Sequence, residues 1–99
     1  MTKVAYNKEF GGFWLASEAL EELAEKLGFD GDLYFALDSI PRHSKILIDV
    51  IEKHKRLYPD TYKSICIKEI SGDRYIIDEY DGFEIVVEPQ DIKWVVVEA

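Results

Sequence analysis

Apolar residues recur at helical spacing in two stretches of the first half of the chain and at strand spacing through the second half. Leu20, Leu23, Ala24 and Leu27 fall at i, i+3, i+4 and i+7, with Glu18, Glu21, Glu22 and Glu25 on the opposite side. Ser17 suits the N-cap of this amphipathic helix and Gly28 its C′ position, where a left-handed backbone favours glycine. A second helix is expected after Pro41-Arg42-His43, with Ser44 as N-cap and Ile46, Leu47, Val50, Ile51, His54 and Leu57 as its apolar stripe. Asp49/Lys53 and Glu52/Arg56 stand in the favourable i,i+4 order on its wet face, and Tyr58-Pro59-Asp60 ends it.

From Tyr62 onward the pattern becomes extended. Tyr62 to Ile70, Tyr75 to Tyr80, Phe83 to Glu88 and Ile92 to Val97 are rich in Ile, Val and Tyr. The two- and three-residue breaks between them permit only antiparallel neighbours, so a meander is expected. Lys3 to Tyr6 is a candidate fifth strand. The fold class that follows is α+β: two helices on one face of a four-stranded antiparallel meander, five-stranded with the N-terminal segment, in one domain over residues 1–99.

Asp81-Gly82 is the strongest local signal, because a type I′ turn needs φ > 0 at both central positions. A two-residue loop there sets Tyr80 opposite Phe83, Glu79 opposite Glu84, Asp78 opposite Ile85, Ile77 opposite Val86 and Ile76 opposite Val87. One face then carries Tyr80, Phe83, Ile76, Ile85 and Val87 and is expected to lie on the helices. The other sets two glutamates face to face, an arrangement unfavourable by roughly 0.2 to 1 kcal/mol unless water or a cation intervenes. It is either a solvated tip with its repulsion screened or an acceptor for Arg or Lys of a partner, which makes Glu79, Tyr80, Asp81 and Glu84 candidate partner-binding residues.

The 99 residues are 47% hydrophobic and 32% charged, with 12 Lys plus Arg against 20 Asp plus Glu, a net charge of −8. This describes one small folded domain. Charge is unevenly spread: Ser17 to Asp38 carries seven acids and one lysine, Asp73 to Ala99 eight acids and two bases, and only Ser39 to Leu57 is basic. That one basic helix within an acidic chain argues against nucleic-acid binding. No apolar run approaches a membrane span, and Met1 to Lys8 lacks the apolar stretch of a signal peptide, so the chain is expected in the cytoplasm. Cys66 is the single cysteine, which excludes an internal disulfide and a Cys-based zinc site within one chain.

Residue types that could carry chemistry are few. Arg42, His43 and Ser44 precede a helix N-terminus, where free N–H groups favour an anion; a phosphate or carboxylate of a metabolite or nucleotide would fit, against the plainer reading that Ser44 caps and Arg42 pairs with an acid. His54 on an apolar stripe reads as a core-edge histidine and Cys66 between isoleucines as a small hydrophobe. Phe10-Gly11-Gly12-Phe13-Trp14 lacks the spacing of a dinucleotide or phosphate loop and reads as a bend that packs its aromatics. No nucleophile and base, metal cluster or cofactor motif stands out, so no enzyme, metal or cofactor is expected.

Three stretches carry a resemblance. Gly11-Gly12-Phe13-Trp14-Leu15-Ala16-Ser17-Glu18-Ala19, Arg42-His43-Ser44-Lys45-Ile46-Leu47-Ile48-Asp49-Val50-Ile51-Glu52-Lys53-His54-Lys55 and Asp78-Glu79-Tyr80-Asp81-Gly82-Phe83-Glu84-Ile85-Val86-Val87-Glu88 resemble, in order, the patterns GGFxLSxEA, RHDPxLxxVVEELG and EEYDGxExVxE of a family of small uncharacterised bacteriophage and prophage proteins. Ser44-Lys45 replaces Asp-Pro of that pattern, and His54-Lys55 replaces Leu-Gly. The resemblance implies a phage-type accessory protein acting in the host cytoplasm, and it transfers no catalytic residue. The expected function is therefore non-enzymatic binding of a host protein through the acidic hairpin, with capture of a small anion at Arg42 and His43 as the alternative. Val95, Val96 and Val97 leave an uncharged strand, so a homodimer is also expected.

Overall fold

Strand β1 (Thr2–Asn7) turns its side chains alternately into two apolar layers, and this alternation organises the molecule. In the computed structural model, which describes residues 1–31 and 36–98, β1 pairs antiparallel with β2 (Ile65–Ile70), Thr2 opposite Ile70 and Asn7 opposite Ile65. On one face Ala5, Ile65 and Ile67 meet Leu23 of helix α1 (Ser17–Leu27) and Leu47 and Ile51 of helix α2 (Lys45–Leu57). On the other, Val4 and Ile70 meet Val86 of a second ribbon, β3 (Ile76–Tyr80) with β4 (Phe83–Val87). The order of layers is helices, first ribbon, second ribbon.

The chain is thus mixed α+β, and the four strands among the described residues form two separate two-stranded antiparallel sheets and not one meander. The N-terminal segment is a strand, and Ile92–Val97 is not. Strand β4 has β3 on one side only, and across its other edge Lys68 Nζ donates to Val86 O at 3.2 Å. The same ammonium lies 3.8 Å from Glu88 and 3.7 Å from Asp91, the ends of the short 3-10 turn that leads the chain away from the ribbon. The place a fourth meander strand would take is therefore occupied by a side chain.

The hairpin register is the one the two-residue loop predicts, from Tyr80 opposite Phe83 to Ile76 opposite Val87. Asp81 has φ 50° and Gly82 φ 85°, as a type I′ turn requires. Its orientation is the reverse of expectation. Glu84, Val86 and Glu88 are buried, whereas Ile76, Tyr80 and Ile85 are exposed and only Phe83 and Val87 are half-covered. Both carboxylates find partners inside: Glu84 takes Arg42, and Glu88 accepts the Ser71 N–H at 3.1 Å. A satisfied carboxylate no longer opposes burial, so Val86 can seat on Val4 and Ile70.

Helix α2 begins as predicted, with Ser44 Oγ accepting the Leu47 N–H at 3.3 Å, and α1 ends at Gly28 in the left-handed region. At the start of α1, however, Ala16 and not Ser17 holds the cap position. The Ala16 N–H donates to the Tyr62 hydroxyl at 3.1 Å, which fixes the entry of the helix from the core. The residues of the intrahelical pairs expected on α2 take other partners: Lys53 binds Glu22 of α1, Glu52 binds Lys3 of β1 at 3.0 Å, and Asp49 lies 3.9 Å from Lys45 of the same helix. No helix among the described residues is long and apolar enough to cross a membrane.

The hydrogen bond from Lys53, then that ammonium's charge, holds the Glu22 carboxyl below its usual value. The folded state therefore binds this proton less tightly than the unfolded chain. The Glu22 contribution is complete above the ordinary glutamate range near 4.3 and is lost as pH falls through the lower folded value. Glu22→Gln is expected to leave a shallower fall of Tm between pH 5 and pH 3 than the natural chain shows, measured by thermal unfolding monitored by circular dichroism.

Candidate partner-binding surface

The open edge of β1 exposes N–H groups that no strand covers, and two distant residues close it. The Ala5 N–H donates to the Arg42 carbonyl at 2.9 Å, and the Asn7 N–H donates to Glu84 Oε1 at 2.9 Å. Arg42 then grips the same carboxylate from above, Nη1 to Oε1 at 2.7 Å and Nη2 to Oε2 at 2.9 Å. The guanidinium carbon lies 3.8 Å from the centroid of the Phe13 ring, so an aromatic face covers its remaining side. The two side chains are only 15% and 8% exposed, which makes this a largely desolvated bidentate pair.

The hairpin turn is locked to the glycine bend in the same place. Asn7 Nδ2 donates to the carbonyls of Glu9 at 2.6 Å and Gly82 at 2.9 Å, and the Gly11 N–H donates to Asp81 O at 3.1 Å. A Cβ on Gly82 would stand 2.1 Å from the Gly12 nitrogen, so the two backbones touch with no room for a side chain. Gly11 and Gly12, with φ 110° and 93°, form the predicted bend. Its aromatics part company: Phe10 lies on Tyr80 and Phe83, Phe13 under Arg42, and Trp14 on Tyr62. Gly11 to Phe13, Arg42 and Tyr80 to Glu84, far apart in the chain, thus meet in one clasp.

This assembly sorts the predicted site residues. Glu84 faces inward, and the cation its position demands is supplied by Arg42 of the same chain. Arg42 is correspondingly committed and offers no free fork to an anion. Ser44 spends its hydroxyl on the helix cap, and His43 Nδ1 sits 2.8 Å from the Tyr75 hydroxyl, with the phenol donating when the imidazole carries its proton on Nε2. Burial pushes the Tyr75 phenol above its usual value, against a smaller opposing pull from Arg42. His54 is buried between α1 and the Tyr58 and Tyr62 rings, its Nε2 3.7 Å from Glu22 Oε2. Cys66 has its Sγ 3.9 Å from the Lys63 carbonyl. Among the described residues no group of three His, Cys, Asp or Glu converges as metal ligands would.

What the clasp presents to solvent is its outer rim. Phe10 and Tyr80 stand exposed, ring centroids 6.4 Å apart in an edge-to-face pair, beside the exposed side chains of Glu79, Asp81 and Glu9. Glu79 Oε1 accepts the Gly82 N–H at 2.8 Å, which holds one carboxylate oxygen and leaves the other toward solvent. Comparison with protein-family models, with curated proteins and with solved structures finds no match.

The plainer reading, with Ser44 as cap and Arg42 paired with an acid, holds, but sequence reasoning did not join Arg42 to Glu84. Asn7 and Phe13 were missed as well; the signal that pointed to them was Glu84 itself, an acid on a strand otherwise made of Phe, Ile and Val, which demands a donor set. Breaking a largely buried pair on one side costs about 3–5 kcal/mol, whereas an apolar replacement of both partners costs far less. Urea unfolding is expected to show a loss of that order for Arg42→Met and a clearly smaller one for Arg42→Met combined with Glu84→Gln, which removes the buried charge and keeps an acceptor for the Asn7 N–H. Gly82→Ala is expected to lose about 2 kcal/mol or more, against less than about 0.5 kcal/mol for Gly72→Ala, where a Cβ meets nothing within 4 Å.

Proposed function

We propose that the chain is a non-enzymatic binding protein that engages a basic segment of another protein through the rim of the clasp: Phe10, Tyr80, Glu79 and Asp81. The observation that carries this reading is an exposed aromatic pair bordered by acids and held on a rigid support. An arginine or lysine can lie over the Tyr80 or Phe10 ring while its charge meets the Glu79 or Asp81 carboxylate. Exposed Tyr and Phe on a backbone that need not reorganise lose little entropy on binding, which is what a recognition surface requires. Glu84 acts in this reading as the support of the surface and not as a contact. The resemblance to phage proteins makes a host protein the partner, met in the host cytoplasm.

Affinity capture from host lysate tests the proposal. A partner retained by the natural chain is expected to be lost on Phe10→Ser/Tyr80→Ser and reduced at least about tenfold on Glu79→Gln/Asp81→Asn, with both variants keeping the natural Tm. Identical retained proteins for all three chains would remove the rim from the function.

A further inference from the structure

Two apolar surfaces of this chain have nothing against them among the described residues. The first is the segment after the 3-10 turn: Trp94, Val95, Val96 and Val97 are 77%, 92%, 80% and 91% exposed. Four such residues in a row, three of them β-branched, describe a strand without a sheet. The second is the outer face of the β3–β4 ribbon, where Ile76 is 58% and Ile85 52% exposed. Strand β3 is paired on one side only, so by the alternation of an antiparallel ladder Ile77 and Glu79 turn N–H and C=O groups to a free edge. We propose that the two surfaces cover each other between copies: Ile92–Val97 of one chain adds as a strand along the β3 edge of a second copy, with its alternate side chains Ile92, Trp94 and Val96 on that copy's outer face, so that the chain forms a reciprocal strand-exchanged dimer.

The segment cannot settle beside the strand it follows. The far edge of β4 is held by Lys68, and the turn that precedes the segment is closed on itself, with Glu88 and Asp91 each accepting a backbone N–H of the other. Projection shows in the dimensions. The radius of gyration is 15.3 Å, against roughly 13 Å for a compact domain of this length. The molecule measures 56 Å by 26 Å by 24 Å, and six residues in extended form span about 20 Å, a length that the excess of the longest axis over the other two can hold.

A second copy fits better than an unrelated partner on two counts. The face and the segment are continuous: Ile92 already lines an apolar hollow of about 190 Å³ with Tyr75, Ile76, Val87 and Pro89, and a hollow of that size suits one large side chain rather than a small-molecule ligand. The area is also sufficient. Trp94 and Val96, which share the strand face of Ile92, present on the order of 300 Å² per copy. Two exchanged segments with the faces they cover then bury roughly 1,200 Å², the lower end of the range for a specific complex.

Sedimentation velocity of the full chain, from low to high micromolar concentration, is expected to show a species of twice the 11.5 kDa chain mass. Val96→Lys in the segment and Ile85→Lys on the outer face alter residues exposed in the single chain, so each should keep the natural circular dichroism spectrum and the urea midpoint that the natural chain shows when diluted to monomer. Because the two-fold counts each change twice, either variant should raise the dimer dissociation constant at least about 100-fold. A natural chain that stays monomeric throughout overturns the proposal. So does a dimer that survives Ile85→Lys, since the segments would then be meeting something other than the outer face.

Discussion

The Arg42–Glu84 pair is the joint on which the rest of the structure hangs. It closes the edge of β1, holds the hairpin against the first ribbon, and fixes the chain two residues before the Ser44 cap of α2. The apolar contact between the ribbons is small, with Val4, Ile70 and Val86 at its centre and the tyrosines Tyr6 and Tyr75 at its margin. Such a contact leaves the hairpin free to rotate or slide. A bidentate pair with one carboxylate, one guanidinium, one strand N–H and one aromatic face has a single geometry, so what the pair contributes is position more than net energy.

Acidity takes a different meaning once this joint is in place. Across strands, two glutamates at the same ladder position repel, and the structure relieves this by sending their side chains to different destinations. Glu84 goes inward to Arg42, while Glu79 caps its own turn at Gly82. The outer acids Glu79, Asp81 and Glu9 are left beside Phe10 and Tyr80. The polar rim therefore owes its shape to a charge that is not on it.

Periodic elements were legible in the sequence because their causes are local. The α2 stripe and Ser44 cap, the Gly28 stop and the Asp-Gly turn with its register all follow from residues within a few positions of one another. Two features were not legible. Which face of the hairpin goes inward depends on whether Glu84 is neutralised, and its cation lies 42 residues away. Likewise Ile92–Val97 has the composition of a strand, but its place beside β4 is taken by Lys68, a residue whose own strand gives no sign of it. Of the residues singled out for binding, Glu79, Tyr80 and Asp81 remain at the surface, whereas Glu84 and Arg42 proved to be each other's partners.

The glycine contact and the carboxylate bridge also impose an order of events. Their partners are far apart in the chain: Asn7 reaches 75 residues to Gly82 and 77 to Glu84. Loop closure over such distances is slow, and its entropy must be met before the contact rewards it. Helices α1 and α2 with the first ribbon form a core that includes no residue after Ile67, so this half can assemble while the chain is still being made. The clasp is then a late event. The clasp needs Glu84, 77 residues beyond Asn7, so the final shape can be reached only once that whole stretch has been made.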